Sequence, residues 1–130
     1  MTSAPFDVSR APDPTEWLAT DEGERSELVA EAHRRTGASV GGSESAHAAL
    51  HVAVENRLAS GDAAVVAAYE RCRAAGVDRH NTIHALASVM TDHIMAVLES
   101  REGFSQVVAD EDYARLDPSK WLPRKKPTKP

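Results

Sequence analysis

The chain has 130 residues, enough for one domain with its own buried core. Apolar residues make up 42% of it but aromatic residues only 5%, a balance that favours closely packed helices over a sheet. The formal net charge of −5 argues against nucleic-acid binding by the body of the protein. We therefore predict an all-α protein that is no nucleic-acid binder.

The sequence also indicates the cellular compartment and excludes an internal disulfide. Cys72 is the single cysteine, so an intramolecular disulfide is excluded. The N-terminus lacks a basic region followed by an apolar run, and no apolar stretch approaches the roughly 18 residues that span a membrane. We expect a cytoplasmic protein that has no contact with a membrane.

The first third of the chain predicts an arm, a turn and a helix. Residues 1–14 contain three prolines and no periodic pattern, which indicates an extended arm. Thr15 is placed to cap a short turn that contains Trp17. Asp21 and Glu24 then have the spacing of a capping box, so a helix is expected to run to about residue 35.

The remainder predicts three longer helices and a short last one. After a glycine-rich connection at 38–43, helices are expected over about 44–60, 63–75 and 79–101, with a short helix over 105–116. The tight junctions at 61–62 and 76–78 place successive helices antiparallel. The prediction is a four-helix bundle domain at 15–116, with a fifth short helix at its end.

The tail at 117–130 is rich in proline and in basic residues. We expect it to be solvated and disordered, with a weak contact to a phosphate or a partner protein as the alternative.

Two histidine-rich runs carry the main functional signal. His47, His51 and Glu55 follow one another at intervals of four residues, and so do His80 and His84. Residues four apart lie above one another on a helix, so each run forms a stack on one helical face. Because the two helices can pack antiparallel, the five side chains are candidate ligands of a metal site, which the sequence does not restrict to one ion.

His33 and His93 are secondary candidates for the same site. His33 lies near the end of the first long helix, which must pack on the other helices. His93 lies on the helix of His80 and His84, but near the opposite edge of its apolar arc, so it could join them only through a bend.

Imidazole and carboxylate ligands together suit zinc or iron. Five histidines with acidic residues also resemble, in ligand type, the hemerythrins, which hold two irons in a four-helix bundle. That similarity implies a di-iron site that binds oxygen, provided that further carboxylates come from Glu27, Glu31 or Asp92. With an open coordination position, a single ion could instead support hydrolysis. The substrate stays open.

A metal-free interpretation competes with this one. Histidines at helix seams often only bond a carbonyl or a carboxylate, and Glu55 could accept hydrogen bonds from His51 or Arg57. The protein would then be a helical interaction module, and a homodimer is one such assembly.

Several blocks of the chain resemble a group of small bacterial proteins of unknown activity. They are Glu16-Trp17-Leu18 with Asp21-Glu22 and Glu24-Arg25, then His33, His47-x3-His51-x2-Val54-Glu55-Asn56, Arg79-His80-x2-Ile83-His84-Ala85, Ser88-Val89 and His93. The similarity covers about residues 14–98 and implies an all-α domain. The chain departs from the group's pattern at Arg57, where glutamine is expected, and at Ser43-Glu44, where a Pro-Asn pair is expected.

Overall fold

The computed structural model describes residues 6–36, 44–100 and 103–122. Within these ranges the chain forms six α-helices and no strand, which confirms the all-α class. The helices are α1 (Pro14–Ala19), α2 (Glu22–Thr36), α3 (Glu44–Ala59), α4 (Ala63–Ala74), α5 (Arg79–Ser100) and α6 (Gln106–Ala114), followed by a 3-10 turn at Pro118–Trp121.

The helix boundaries follow local capping chemistry. Asp13 caps α1 in place of the expected Thr15, because its carboxylate accepts the N–H of Glu16 at 3.0 Å and Pro14 occupies the first helical position. Gly61 and Gly76 end α3 and α4 with positive φ angles of 76° and 96°, which residues with a Cβ rarely adopt.

Helix α3 is the central element of the bundle. It packs against α1 and α2 on one side and against α5 and α4 on the other. One apolar cluster joins α1, α2 and α3 around Trp17, Val29 and Val52. A second apolar cluster joins α3, α4, α5 and α6 around Val54 and Leu86. Two buried residues of α3, His51 and Glu55, belong to neither cluster. His51 lies where α2, α3 and α5 meet, and Glu55 faces α5.

The terminal segments are described in part. Residues 6–13 form no helix, yet Phe6 is buried with its ring centroid 5.6 Å from that of Trp17. Residues 1–5, the predicted connection at 38–43 and the basic part of the tail from 123 onward lie outside the described residues. None of the described helices has the length and apolar character needed to cross a membrane.

Candidate metal centre

Five of the six histidines meet where α2, α3 and α5 pack together. His33 comes from α2, His47 and His51 from α3, and His80 and His84 from α5. The contacting rings have centroids between 4.3 Å (His80 and His84) and 5.4 Å (His51 and His80) apart. The site is thus made of imidazoles from three helices.

Four of these histidines form a tighter group. One ring nitrogen from each of His33, His51, His80 and His84 lies within 4.8 Å of the other three. His33 and His51 are only 3% and 1% exposed, whereas His80 and His84 are half-buried. His47 lies beside this four-histidine group, with its ring centroid 4.7 Å from that of His51 and 5.1 Å from that of His84.

The antiparallel register of α3 and α5 brings the two predicted stacks together. Along α3, His47 lies against His84, His51 lies against both His80 and His84, and Glu55 meets Arg79. Because both helices present ligands at intervals of four residues, one register aligns all of them.

Glu55 lies outside the four-histidine group and is held by Arg79. Its two carboxylate oxygens accept hydrogen bonds of 2.6 and 2.7 Å from the guanidinium of Arg79, and both side chains are buried. Arg57, the expected alternative partner, instead pairs with Asp62 at 3.2 Å. Both carboxylate oxygens of Glu55 are therefore engaged by Arg79, and this buried ion pair joins α3 to α5.

His33 is oriented by its own helix. Its Nδ1 atom lies 2.8 Å from the carbonyl oxygen of Val29, which only accepts, so Nδ1 carries the proton in the neutral ring. The lone pair of its Nε2 then faces the Nε2 of His80 at 3.1 Å. Metal-bound histidines characteristically donate their other ring N–H to a carbonyl or a carboxylate in this way.

Three further nitrogens of the site have no hydrogen-bond partner in the part of the chain that the structure describes. Among the described residues, the Nε2 atoms of His47, His51 and His84 are buried and have no hydrogen-bond partner. Buried polar atoms are rarely left unsatisfied in folded proteins. These nitrogens are therefore available to bind a water molecule, a metal ion or another small group.

The electrostatics of the site favour neutral imidazoles. Burial, reinforced by the neighbouring histidines, lowers the pKa of His51 to about 2 and that of His84 to about 4. Burial also lowers the pKa values of His47 and His80 below their usual range. Neutral rings keep lone pairs available, which a metal ligand requires.

His93 lies at a different place in the fold. Its Nε2 atom is 2.7 Å from a carboxylate oxygen of Asp112 on α6. It lines a mostly apolar cavity of about 330 Å³, together with Ile94, Leu98 and Phe104. His93 is therefore separate from the four-histidine group.

The acidic residues expected to complete a di-iron site are exposed. Glu27 lies 3.8 Å from Arg34 on the surface of α2, and Glu31 and Asp92 are also exposed. Within the described part of the chain, the four-histidine group includes no carboxylate and no thiolate. Cys72 is buried, and burial raises the pKa of its thiol.

Sequence reasoning missed Arg79 as the partner of Glu55. The available signal was its position directly before His80, which places it on the helix that faces α3. A second polar contact also went unpredicted: Asn56 accepts hydrogen bonds from Trp17 (2.8 Å) and Arg25 (2.9 Å), which ties α1 and α2 to α3.

Comparisons with protein-family models, with curated proteins and with solved structures found no match for this chain.

Proposed function

We propose that the protein binds one transition-metal ion through the Nε2 atoms of His33, His51, His80 and His84, and that zinc is the favoured ion. The observation that carries this proposal is the convergence of four imidazole nitrogens from three helices within 4.8 Å of one another. The carbonyl-oriented ring of His33 and the unpartnered Nε2 atoms of His51 and His84 support it.

The geometry fits a small ion. In a tetrahedral zinc site with Zn–N bonds of about 2.0–2.1 Å, neighbouring nitrogens lie about 3.3 Å apart. The separation of 3.1 Å between the Nε2 atoms of His33 and His80 is close to that value. The remaining nitrogens require only small side-chain rotations, since none is more than 4.8 Å from another.

The donor set favours zinc over iron. Four imidazoles without a carboxylate suit zinc, copper or nickel, whereas non-haem iron centres commonly include a carboxylate. A di-iron centre of the hemerythrin type would need bridging carboxylates, and the carboxylate of Glu55 is already paired with the guanidinium of Arg79. One ion is therefore the stoichiometry that we propose.

Elemental analysis of tag-free protein tests the proposal. We expect about one equivalent of zinc per chain, after purification or after reconstitution with the ion. His84→Ala should lower this content strongly, because it removes a half-buried ligand without opening the core. His93→Ala is the matched control and should keep the metal content of the wild type.

The proposal fails if reconstituted protein that is folded by circular dichroism retains no metal. It also fails if His93→Ala and His84→Ala lower the metal content equally, because the ion would then not be held by the four-histidine group.

Homodimer formation is a second candidate function, favoured by an exposed apolar surface at the far end of the bundle. Ile94, Leu98 and Phe104 are exposed and line one cavity, and Met95, Val107 and Val108 are further exposed apolar residues on α5 and α6. Exposed apolar patches of this kind commonly mark protein interfaces, so we propose a second copy of the chain as the occupant.

Analytical ultracentrifugation tests this second candidate. Wild type should sediment as a dimer and Leu98→Glu as a monomer, while the exposed-site control Glu99→Gln should leave the dimer intact. A wild type that is monomeric at high concentration contradicts the proposal.

A further inference from the structure

We propose that the metal centre holds a small exchangeable anion as a fifth ligand, which expands the four-histidine coordination, and that His47 binds this anion through its Nε2–H instead of binding the metal. The inference rests on the proposed function, because it needs a cation at the four-histidine group. It extends that function by naming a ligand class for the site and a role for the fifth histidine.

The first argument is the uncompensated charge of the site. Four neutral imidazoles leave the full charge of a divalent ion in place, next to side chains that are only 3% (His33) and 1% (His51) exposed. A buried charge is costly unless an opposite charge accompanies it. The buried acid nearest along α3, Glu55, is already neutralised by Arg79.

Asp78 compensates this charge only from a distance: its carboxylate partly counteracts the lowering of the pKa values of His80 and His84, but it is not a member of the four-histidine group. It precedes Arg79 at the start of α5 and is exposed. Its carboxylate accepts hydrogen bonds from the backbone N–H of Asn81 at 2.9 Å and from the side-chain amide of Asn81 at 2.8 Å. No acidic residue belongs to the group of four within the described ranges. Since no described acidic residue contributes to the group, we infer that a dissolved anion supplies the missing negative charge, and hydroxide is the simplest example.

The second argument is the unequal burial of the site. His33 and His51 are buried on the inner side, whereas His80, His84 and His47 are half-buried. A ligand from solvent would therefore reach the ion on the side of α3 and α5 where His47 lies.

The third argument is the position of His47 itself. It precedes His51 by one helical turn, and its ring contacts those of His33, His51 and His84. No nitrogen of His47 belongs to the group that shares the 4.8 Å separation. Its Nε2 atom is nevertheless buried and, among the described residues, has no hydrogen-bond partner. A neutral imidazole protonated at Nε2 donates one hydrogen bond, and an anion on the ion would accept it.

Cobalt(II) and azide provide the test. Cobalt(II) in place of zinc has visible absorption bands that report its coordination, and azide serves as the probe anion. Titration of the cobalt-loaded full chain with azide should change the spectrum saturably. His47→Leu should bind one equivalent of cobalt but require at least ten times more azide. His47→Gln, whose amide can donate a hydrogen bond, should recover most of the affinity, and His93→Leu should match the wild type.

Each other outcome overturns the inference. If cobalt binds and azide leaves the spectrum unchanged, the coordination is closed. If His47→Leu loses cobalt, His47 is itself a ligand. If His47→Leu binds azide as tightly as the wild type, His47 does not hold the anion. These three results leave metal binding by the other four histidines standing, whereas failure of both cobalt and zinc to bind removes that proposal as well.

Discussion

His33 on α2 and His80 on α5 face each other with their Nε2 atoms 3.1 Å apart, although they are separated by 47 residues in the sequence. Because the Nδ1–H of His33 is used by the carbonyl of Val29, its Nε2 can only accept when the ring is neutral. One proton on His80 would satisfy this pair, yet the Nε2 atoms of His51 and His84 would still lack partners among the described residues. A shared cation satisfies all four nitrogens at once.

Zinc should raise the thermal stability of the protein. A ligand that binds only the folded state stabilises it by about 2.7 kcal/mol when its free concentration is 100 times the dissociation constant. We therefore expect the melting temperature to rise on addition of zinc and to fall again with EDTA, as measured by circular dichroism. His84→Ala should abolish the response and His93→Ala should preserve it. A melting temperature that is indifferent to both zinc and EDTA would argue for the metal-free alternative.

The metal-free protein should lose stability in mild acid. The pKa values of His51 and His84 are lowered to about 2 and about 4, so below pH 6.5 the unfolded chain binds protons that the folded chain excludes. The free energy of unfolding is thus fully maintained above about pH 6.5. It falls with decreasing pH by up to about 1.4 kcal/mol per pH unit for each such histidine.

Urea unfolding in EDTA at a series of pH values measures this dependence. His84→Gln should show a shallower decline than the wild type, because it removes one of the groups whose protonation is linked to unfolding. An unfolding midpoint that stays constant from about pH 7 to about pH 5 would contradict the account.

Glu55→Gln should destabilise the fold without removing the metal ligands. The substitution leaves the Arg79 guanidinium buried without its counter-charge, and breaking a buried ion pair on one side typically costs about 3–5 kcal/mol. Urea unfolding should report this loss, while elemental analysis of the folded fraction should still find about one equivalent of zinc. The exposed substitution Glu31→Gln is the control. Loss of zinc from folded Glu55→Gln, with Glu31→Gln unaffected, would instead assign Glu55 as a ligand.

Asn56→Ala should loosen the attachment of the N-terminal elements to α3. The amide oxygen of Asn56 accepts hydrogen bonds from the indole of Trp17 and the guanidinium of Arg25. Leaving a buried donor unsatisfied typically costs about 1–3 kcal/mol. We expect a comparable loss of unfolding free energy and a shift in the fluorescence of Trp17. Because Trp121 also fluoresces, Trp121→Phe should serve as the background. An unchanged stability and spectrum would contradict the bridging role of Asn56.

Much of the helical framework could be predicted from local signals. Asp62 and Asp78 lie at helix starts and Gly61 and Gly76 at helix ends, and these junctions locate α3, α4 and α5 to within a few residues. The two histidine stacks could also be predicted from the sequence, because residues four apart lie on one face of a helix regardless of the tertiary packing.

The rest of the site depends on tertiary packing. His33 has no spacing relation to the other histidines, and only the packing of α2 on α3 brings it among them. Glu55 is in register with His47 and His51, but Arg79 reaches it from 24 residues away in the sequence. His93 is on the same helix as His84 but nine residues further along it, where its ring contacts Asp112 on α6 instead of the other histidines.

X-ray absorption spectroscopy at the zinc edge of the reconstituted, tag-free protein tests the central claim most directly. The account predicts about four imidazole nitrogens at about 2.0–2.1 Å, with no sulfur and at most one additional light-atom ligand. His84→Ala should lose one imidazole or the ion itself. A spectrum dominated by carboxylate oxygens, or one with fewer than three imidazoles, would show that zinc binds elsewhere on the protein and would contradict the four-histidine centre.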